Sequence, residues 1–421
     1  GRRLVEVDAE HAADLLRDRL GAHRLAGLGP AQPEHVAPGR RPAEIVVKAD
    51  DAVHLGPRQV QRLGDGGKRL GRHMAELGLQ SPFDAGEIAL IGLSEIMTGL
   101  PRLMRRIGEI AALVTREKPD CLITIDSPDF SLRVARKVRA AAPAIPIVHY
   151  VCPSVWAWRP GRAPAMRPYV DRILCLLPFE AKELERLGGP PGTFVGHRLT
   201  QDPGVLAAAA EQAKPRDFSL DRVKTLLILP GSRRGEVRRL IEPFGETVAI
   251  LGRRGHKMRL ILPTVPHVAD LVRSATANWN ERPEIVTDPQ GKWRAFGLAD
   301  AALIASGTVS LELALSGVPM ISCYRFDPVM QAVQSLVKIW TGVLPNLIAD
   351  RPVVPESYNS YVRPMSLARH VEALWADTQL RGWQKDGFAE VRRRMTTAKP
   401  SGEIAAAAVM DVVKGNRGIG E

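Results

Sequence analysis

Residues 225–236 read T-L-L-I-L-P-G-S-R-R-G-E, an apolar run, a Pro-Gly pair and a basic, polar sequel. Thr225–Leu229 is too short for a core helix and reads as a buried strand. Pro230-Gly231 punctuates it, and Arg234–Arg253 beyond has helical spacing. Working outward, the same unit recurs at Ala302–Ala305, where Ser306-Gly307-Thr308 leads into the helical stretch Val309–Ser316. Cys121–Ile125, Ile147–Val151, Ile173–Leu177, Phe194–Val195, Leu260–Leu262, Glu284–Val286 and Met320–Cys323 read as further strands, with helices over Ser131–Ala141 and His267–Thr276. Strands alternating with helices predict parallel sheets covered on both faces, so the chain is α/β and Rossmann-like.

The alternation breaks between Thr200 and Arg222, where an Ala-rich polar stretch carries Pro203 and Pro215. A linker there divides the chain into a 73–205 domain and a 220–380 domain, each long enough for its own core. Helices over 381–421 are expected to cross back onto the first half. Residues 1–72 differ in character: dense in Arg, Asp, Gly, His and Pro, they offer one amphipathic stretch (Ala9–Leu20) and one weak strand (Ile45–Val47). They read as an extension of low order.

Of 421 residues, 58 are basic and 46 acidic, a net charge of +12 that favours polyanionic partners. Aromatics make up only 5% and do not interleave with Lys/Arg runs, which argues against nucleic acid and leaves anionic lipid or a nucleotide. Four cysteines (Cys121, Cys152, Cys175, Cys323) form no CxxC pair, so neither a disulfide framework nor structural zinc is expected. No apolar run reaches the length of a spanning helix, so a cytoplasmic protein is expected. Two basic, aliphatic stretches, Ile88–Val114 and Met330–Val343, have a composition suited to a bilayer interface or to core helices.

Ligands of parallel α/β sheets sit beyond the carboxyl ends of the strands, so the strand-to-helix turns carry the candidate chemistry. Ser232 and then Arg233 or Arg234 follow Gly231 at a helix start, where free N–H groups and a guanidinium fork suit a diphosphate, the alternative being a plain strand–helix turn with two surface arginines. Gly307 and Thr308 repeat the device. Glu312, one turn inside the next helix, is placed either to accept ribose hydroxyls or to complement the helix dipole. GxGxxG and Walker A patterns are absent, which disfavours dehydrogenase and P-loop readings. Asp126 ends a buried strand as a general base would. Asp129 fits the same role or that of a helix N-cap. In the stretch Cys152–Arg159, Trp156, Trp158 and Arg159 form either a sugar- or acyl-binding loop or a packed corner, and Cys152 reads as a packed thiol.

Taken together, IDSPDF (Ile125–Phe130), HYVCPSVWAWRPGR (His149–Arg162), DRILCLLPFE (Asp171–Glu180), FVGHRL (Phe194–Leu199), LPGSRRGEV (Leu229–Val237), ASGTVSLELALSGVPMISCYR (Ala305–Arg325) and LPNLIADRPVVPE (Leu344–Glu356) resemble the lipid-A-disaccharide synthase family. The resemblance implies a GT-B glycosyltransferase, two Rossmann-like domains facing a cleft. It implies transfer of 2,3-diacylglucosamine from its UDP donor to 2,3-diacylglucosamine 1-phosphate (lipid X), with inversion, and release of a β-1,6-linked disaccharide 1-phosphate and UDP. No metal or other cofactor is implied, and the setting is the cytoplasmic face of the inner membrane. On this resemblance Asp126, or Asp129 in its place, takes the proton from the acceptor hydroxyl. Arg233 with Gly307–Thr308 stabilises the leaving diphosphate, Glu312 holds the ribose, and Asn346 completes the nucleotide pocket.

One departure stands out. The family opens with a strand ending in an A-G-E-x-S-G-D turn, which this sequence lacks, and family-like sequence resumes at Gly71–Leu79. Such an opening is what an out-of-frame read of a GC-rich gene would give. Two alternatives stay open: a UDP-sugar-binding remnant of impaired activity, and another GT-B enzyme of the UDP-N-acetylglucosamine type. A homo-oligomer is compatible with every reading.

Overall fold

The computed structural model describes residues 44–48, 52–55, 96–326 and 339–417. They form two compact units: one runs to Arg198 and includes the chain from Thr397 onward, and the other is Leu199–Thr396.

The first unit is built on strands β1 (Glu44–Lys48), β2 (Ala52–Leu55), β3 (Cys121–Ile125), β4 (Ile147–Tyr150), β5 (Arg172–Cys175) and β6 (Gly192–Phe194). Their spatial order is β2-β1-β3-β4-β5-β6. Only the β1–β2 pair is antiparallel. The weak strand expected at Ile45–Val47 is thus one residue longer at each end and lies in register beside β3, with Lys48 opposite Ile125. Helices α1 (Ile96–Glu117), α2 (Pro128–Ala141), α3 (Arg162–Met166) and α4 (Glu180–Arg186) follow in order. Every residue of β3 is buried, as a strand covered on both faces requires. Ile107, Ile110, Ala111 and Val114 recur at helical spacing on α1 and pack with Phe130, Val134 and Val138 of α2. This apolar face belongs to the core, not to an interface with lipid, while Arg105 and Arg116 stay exposed. Residues 88–95 of that stretch lie outside the described residues, as do 330–338 of the second.

The second unit holds β7 (Lys224–Leu229), β8 (Met258–Pro263), β9 (Glu284–Val286), β10 (Ala301–Ala305), β11 (Met320–Tyr324) and β12 (Glu356–Tyr358). All pairs are parallel, in the order β9-β8-β7-β10-β11-β12. That is the doubly wound order, whose topological switch falls between β7 and β10. Helices α5 (Pro203–Gln212), α6 (Arg234–Arg253), α7 (Pro266–Thr276), α8 (Pro289–Leu298), α9 (Val309–Ser316), α10 (Leu344–Ala349), α11 (Pro364–Trp375) and α12 (Gln379–Met395) surround it. Leu226, Ile228, Phe244, Leu303 and Leu367 lie in one continuous core.

The Thr200–Arg222 stretch is no bare linker. Pro203 stands at the first position of α5, where its missing N–H is not needed, and Asp202 caps the helix by accepting from Gly204 N and Val205 N. The buried Gln212 amide then donates to the carbonyls of Phe296, Gly297 and Ala299, tying α5 to α8. Beyond it, Arg216 and Arg222 converge on the buried carboxylate of Asp300, which also accepts from Thr225 N. A proline and a run of alanines mark a helix start here.

Candidate active site

In the second unit, the turns after β7 and β10 lie side by side because the two strands pair. After β7, Gly231 adopts a φ of 117°, and a Cβ there would stand 2.6 Å from Glu236 Cβ. Glycine is therefore required, and the close approach lets Glu236 accept from Arg233 N at 3.4 Å and from Arg233 Nη1 at 2.9 Å. Arg233 is half-buried and held at the first turn of α6, while Arg234 is exposed. His267 on α7 donates to Ser232 O, which fixes the turn from the far side.

After β10, Ser306 is buried and donates to Gly342 O, Gly307 has a φ of 153°, and Thr308 stands at the N-cap position of α9 without a side-chain cap bond. The amides of Ser310 and Leu311 donate to Gly307 O and Thr308 O, so the helix opens at Gly307–Thr308, just beyond the carboxyl end of β10 at the switch point. Glu312 accepts from Lys292 Nζ at 2.8 Å, and that ammonium also lies 4.4 Å from the Trp293 ring centroid. Lys292, 20 residues earlier on α8, carries no sequence signal that would pair it with Glu312. Asn346 is buried, and its amide is fully engaged: Oδ1 accepts from Val353 N and Val354 N, and Nδ2 donates to Thr341 Oγ1, Val354 O and Glu356 Oε1. Glu356 also accepts from Gly342 N, Thr341 and Tyr358. Asn346 and Glu356 therefore brace the 341–346 turn against the Ser306 turn, a role for Glu356 that its place in the quoted run did not reveal.

In the first unit, the strand ends are strained where chemistry is expected. Asp126 and Ser127 both adopt left-handed φ (49° and 41°), and Val151 does so at 76°, which is rare for a β-branched residue. Asp126 is half-buried at the end of β3, its N–H bonded to Tyr150 O. The helix after it starts earlier than Ser131: Pro128 takes the first position, Ser127 the N-cap position, and Asp129 lies in the first turn. Asp129 is not the N-cap; it is exposed and accepts from Arg162 Nη2 at 2.6 Å, with Arg159 Nη1 at 3.9 Å.

The aromatic loop is anchored rather than free. Trp156 packs edge-on against Phe179 and donates to Glu180 Oε1 at 3.4 Å, while Arg159 lies over the Trp158 ring. Glu180 is buried and also accepts from Leu176 N and Leu177 N. Burial pushes its carboxyl up to about 7 against those bonds. Cys152, Cys175 and Glu180 are the one group of potential metal donors that comes together among the described residues. The Cys152 thiol is raised well above its ordinary value by its bond with Cys175, then by burial. A neutral thiol beside a carboxylate already held by two amides makes a packed polar knot, and Cys152 is a packed thiol.

Residues 66–408 match the family model described as lipid-A-disaccharide synthetase. The chain is 44% identical over 350 residues to the lipid-A-disaccharide synthase of Nitrobacter hamburgensis, covering 83% of this chain and 88% of that one. It is 46% identical to that of Rhodopseudomonas palustris strain CGA009, covering 82% and 87%, and 44% identical to that of strain HaA2, covering 88% and 96%. Solved structures are more distant: UDP-GlcNAc 2-epimerase of Methanocaldococcus jannaschii has a TM-score of 0.49 at 15% identity, covering 80% of this chain and 87% of that one. The fold accordingly rests on the sheet orders above. The family pattern spans both strand-end sites, and the chain belongs to the lipid-A-disaccharide synthetase family.

Proposed function

We propose that the chain performs its family's glycosyl transfer, with UDP-2,3-diacylglucosamine as donor and 2,3-diacylglucosamine 1-phosphate as acceptor. The 6-hydroxyl of the acceptor attacks the anomeric carbon, the sugar–diphosphate bond breaks, and UDP leaves with inversion. Asp126 takes the hydroxyl proton. The observation that carries this assignment is the placement of the two carboxylates: Asp129 lies exposed in the first turn of α2 with Arg162 Nη2 at 2.6 Å. Asp126 sits at the strand end in a strained backbone, a placement suited to a general base.

Arg233 and the Gly307–Thr308 helix start stabilise the diphosphate as it departs, the charge stabilisation that a metal supplies in other transferases. Glu312, held by Lys292, offers its second oxygen to the ribose hydroxyls. Asn346 acts by holding the turn that shapes this pocket. Both substrates carry acyl chains, so the enzyme works at the cytoplasmic face of the inner membrane, drawn there by anionic lipid.

The test is UDP release from the donor with and without lipid X. Release that requires lipid X supports transfer; UDP binding without release supports an impaired UDP-sugar-binding protein instead. In Asp126→Asn, a side chain that also tolerates left-handed backbone, kcat should fall about 10²–10⁴-fold with UDP affinity unchanged. Equal losses on Asp129→Asn alone would move the base to Asp129.

A further inference from the structure

Three features of the first unit are not used by the proton transfer. Two guanidinium groups, of Arg159 and Arg162, converge on one carboxylate, Asp129, leaving a surplus positive charge. Arg159 is held in left-handed backbone at a φ of 54°, a strained placement for a residue with a Cβ. Its N-terminal neighbour Trp158 lies under the guanidinium, and its carbonyl accepts from Arg162 N, so the two arginines form one turn. Below them, His149 is fully buried with Nδ1 engaged by Thr124 Oγ1 and Nε2 without a partner. Its imidazole is kept neutral, pushed down to about 3 by burial first and by the Arg162 charge second. Arg162 thus has a neutral ring beside it and, among the described residues, shares the exposed anion Asp129 with Arg159.

We infer that Arg159 and Arg162 form a phosphomonoester subsite that recognises the 1-phosphate of the acceptor sugar, with Asp129 holding the pair in place until the phosphate displaces it. Guanidinium forks suit phosphate oxygens in bidentate geometry, and a dianion outcompetes a monoanionic carboxylate for two cations. Spacing supports the assignment. Asp129 follows Asp126 by three residues, which limits their Cα separation to about 10 Å. A hexose whose 6-hydroxyl meets Asp126 and whose C1 phosphate meets the arginines spans a comparable length. The inference rests on the proposed acceptor and adds what selects it.

The experiment compares kcat/KM for 2,3-diacylglucosamine 1-phosphate and for the same sugar without phosphate. The intact chain should favour the phosphorylated acceptor. Arg162→Gln, and Arg159→Gln separately, should reduce that preference about ten- to hundredfold through KM of the phosphorylated acceptor. Arg162→Lys, which keeps the charge but loses the fork, should fall between. Asp129→Asn should leave the preference intact or raise it, because both arginines are released. A preference unchanged in both glutamine variants while the two rates fall together would overturn the subsite and make the arginines supports for Asp129. An intact chain that binds UDP but transfers to neither acceptor would instead sink the functional reading, and this subsite with it.

Discussion

Glu180 shows how one buried side chain couples a loop to solution conditions. Its carboxyl sits at about 7 instead of 4.5 because burial outweighs the bonds from Leu177 N, Trp156 Nε1 and Leu176 N. The folded state therefore holds a proton that the unfolded chain releases near 4.5. The stabilisation that Glu180 contributes is complete below about 4.5 and is lost as pH rises through about 7, a swing of about 3 kcal/mol. Glu180→Gln keeps an acceptor for the two amides and does not ionise. In thermal melts the parent Tm should decline between pH 5 and 7 relative to the variant, by several degrees at about pH 7; parallel profiles would show that Glu180 stays ionised throughout. The sequence placed Asp126, Arg233, Glu312 and Asn346 in their turns, because a turn after an apolar run is visible in one dimension. It did not disclose Glu180 as the anchor of the Trp156 loop, or Lys292 and Glu356 as the partners of Glu312 and Asn346. Their pairings bridge elements distant in sequence, and nothing in a charge's neighbours along the chain predicts which strand end it will face.

The elements best anticipated are those with a clear apolar run or a clear helical period. Cys121–Ile125, Arg234–Arg253 and Val309–Ser316 carry the bounds expected for that reason, and Glu284–Val286 does so although it is only partly buried. β4 ends one residue short of Val151 because that residue turns left-handed at the site. β12 (Glu-Ser-Tyr) has no apolar pattern and is held by pairing with β11 and by the hydrogen bonds of Glu356, so only the assembled sheet defines it. The β7 turn shows how strictly an element junction can depend on one residue. In Gly231→Ala the new methyl would meet Glu236 Cβ at 2.6 Å in a backbone region hostile to alanine. The turn must shift, Glu236 must release Arg233, and the α6 amides lose their aim. Destabilisation of about 1–3 kcal/mol is expected, with UDP affinity reduced more than tenfold in calorimetry. Unchanged UDP affinity in a folded variant would remove this turn from the nucleotide site.

For the whole molecule, the proposed acylated substrates raise the question of what would bring it to a membrane. Among the described residues no helix is long and apolar enough to cross a bilayer. Nor does α1 offer its apolar face, because Ile107, Ile110 and Val114 are buried against α2. What remains is the net charge of +12, which a membrane rich in anionic headgroups attracts over a Debye length of about 10 Å at about 0.1 M salt. Attraction by charge has a signature that apolar insertion lacks. In co-sedimentation, the chain should bind vesicles containing phosphatidylglycerol more strongly than pure phosphatidylcholine vesicles, and raising salt to about 1 M, where screening shortens to about 3 Å, should release most of it. Binding that persists at high salt, or that is equal on both vesicles, would assign the anchor to apolar contact instead. In that case the two aliphatic stretches at 88–95 and 330–338, which lie outside the described residues, become the segments to alter first.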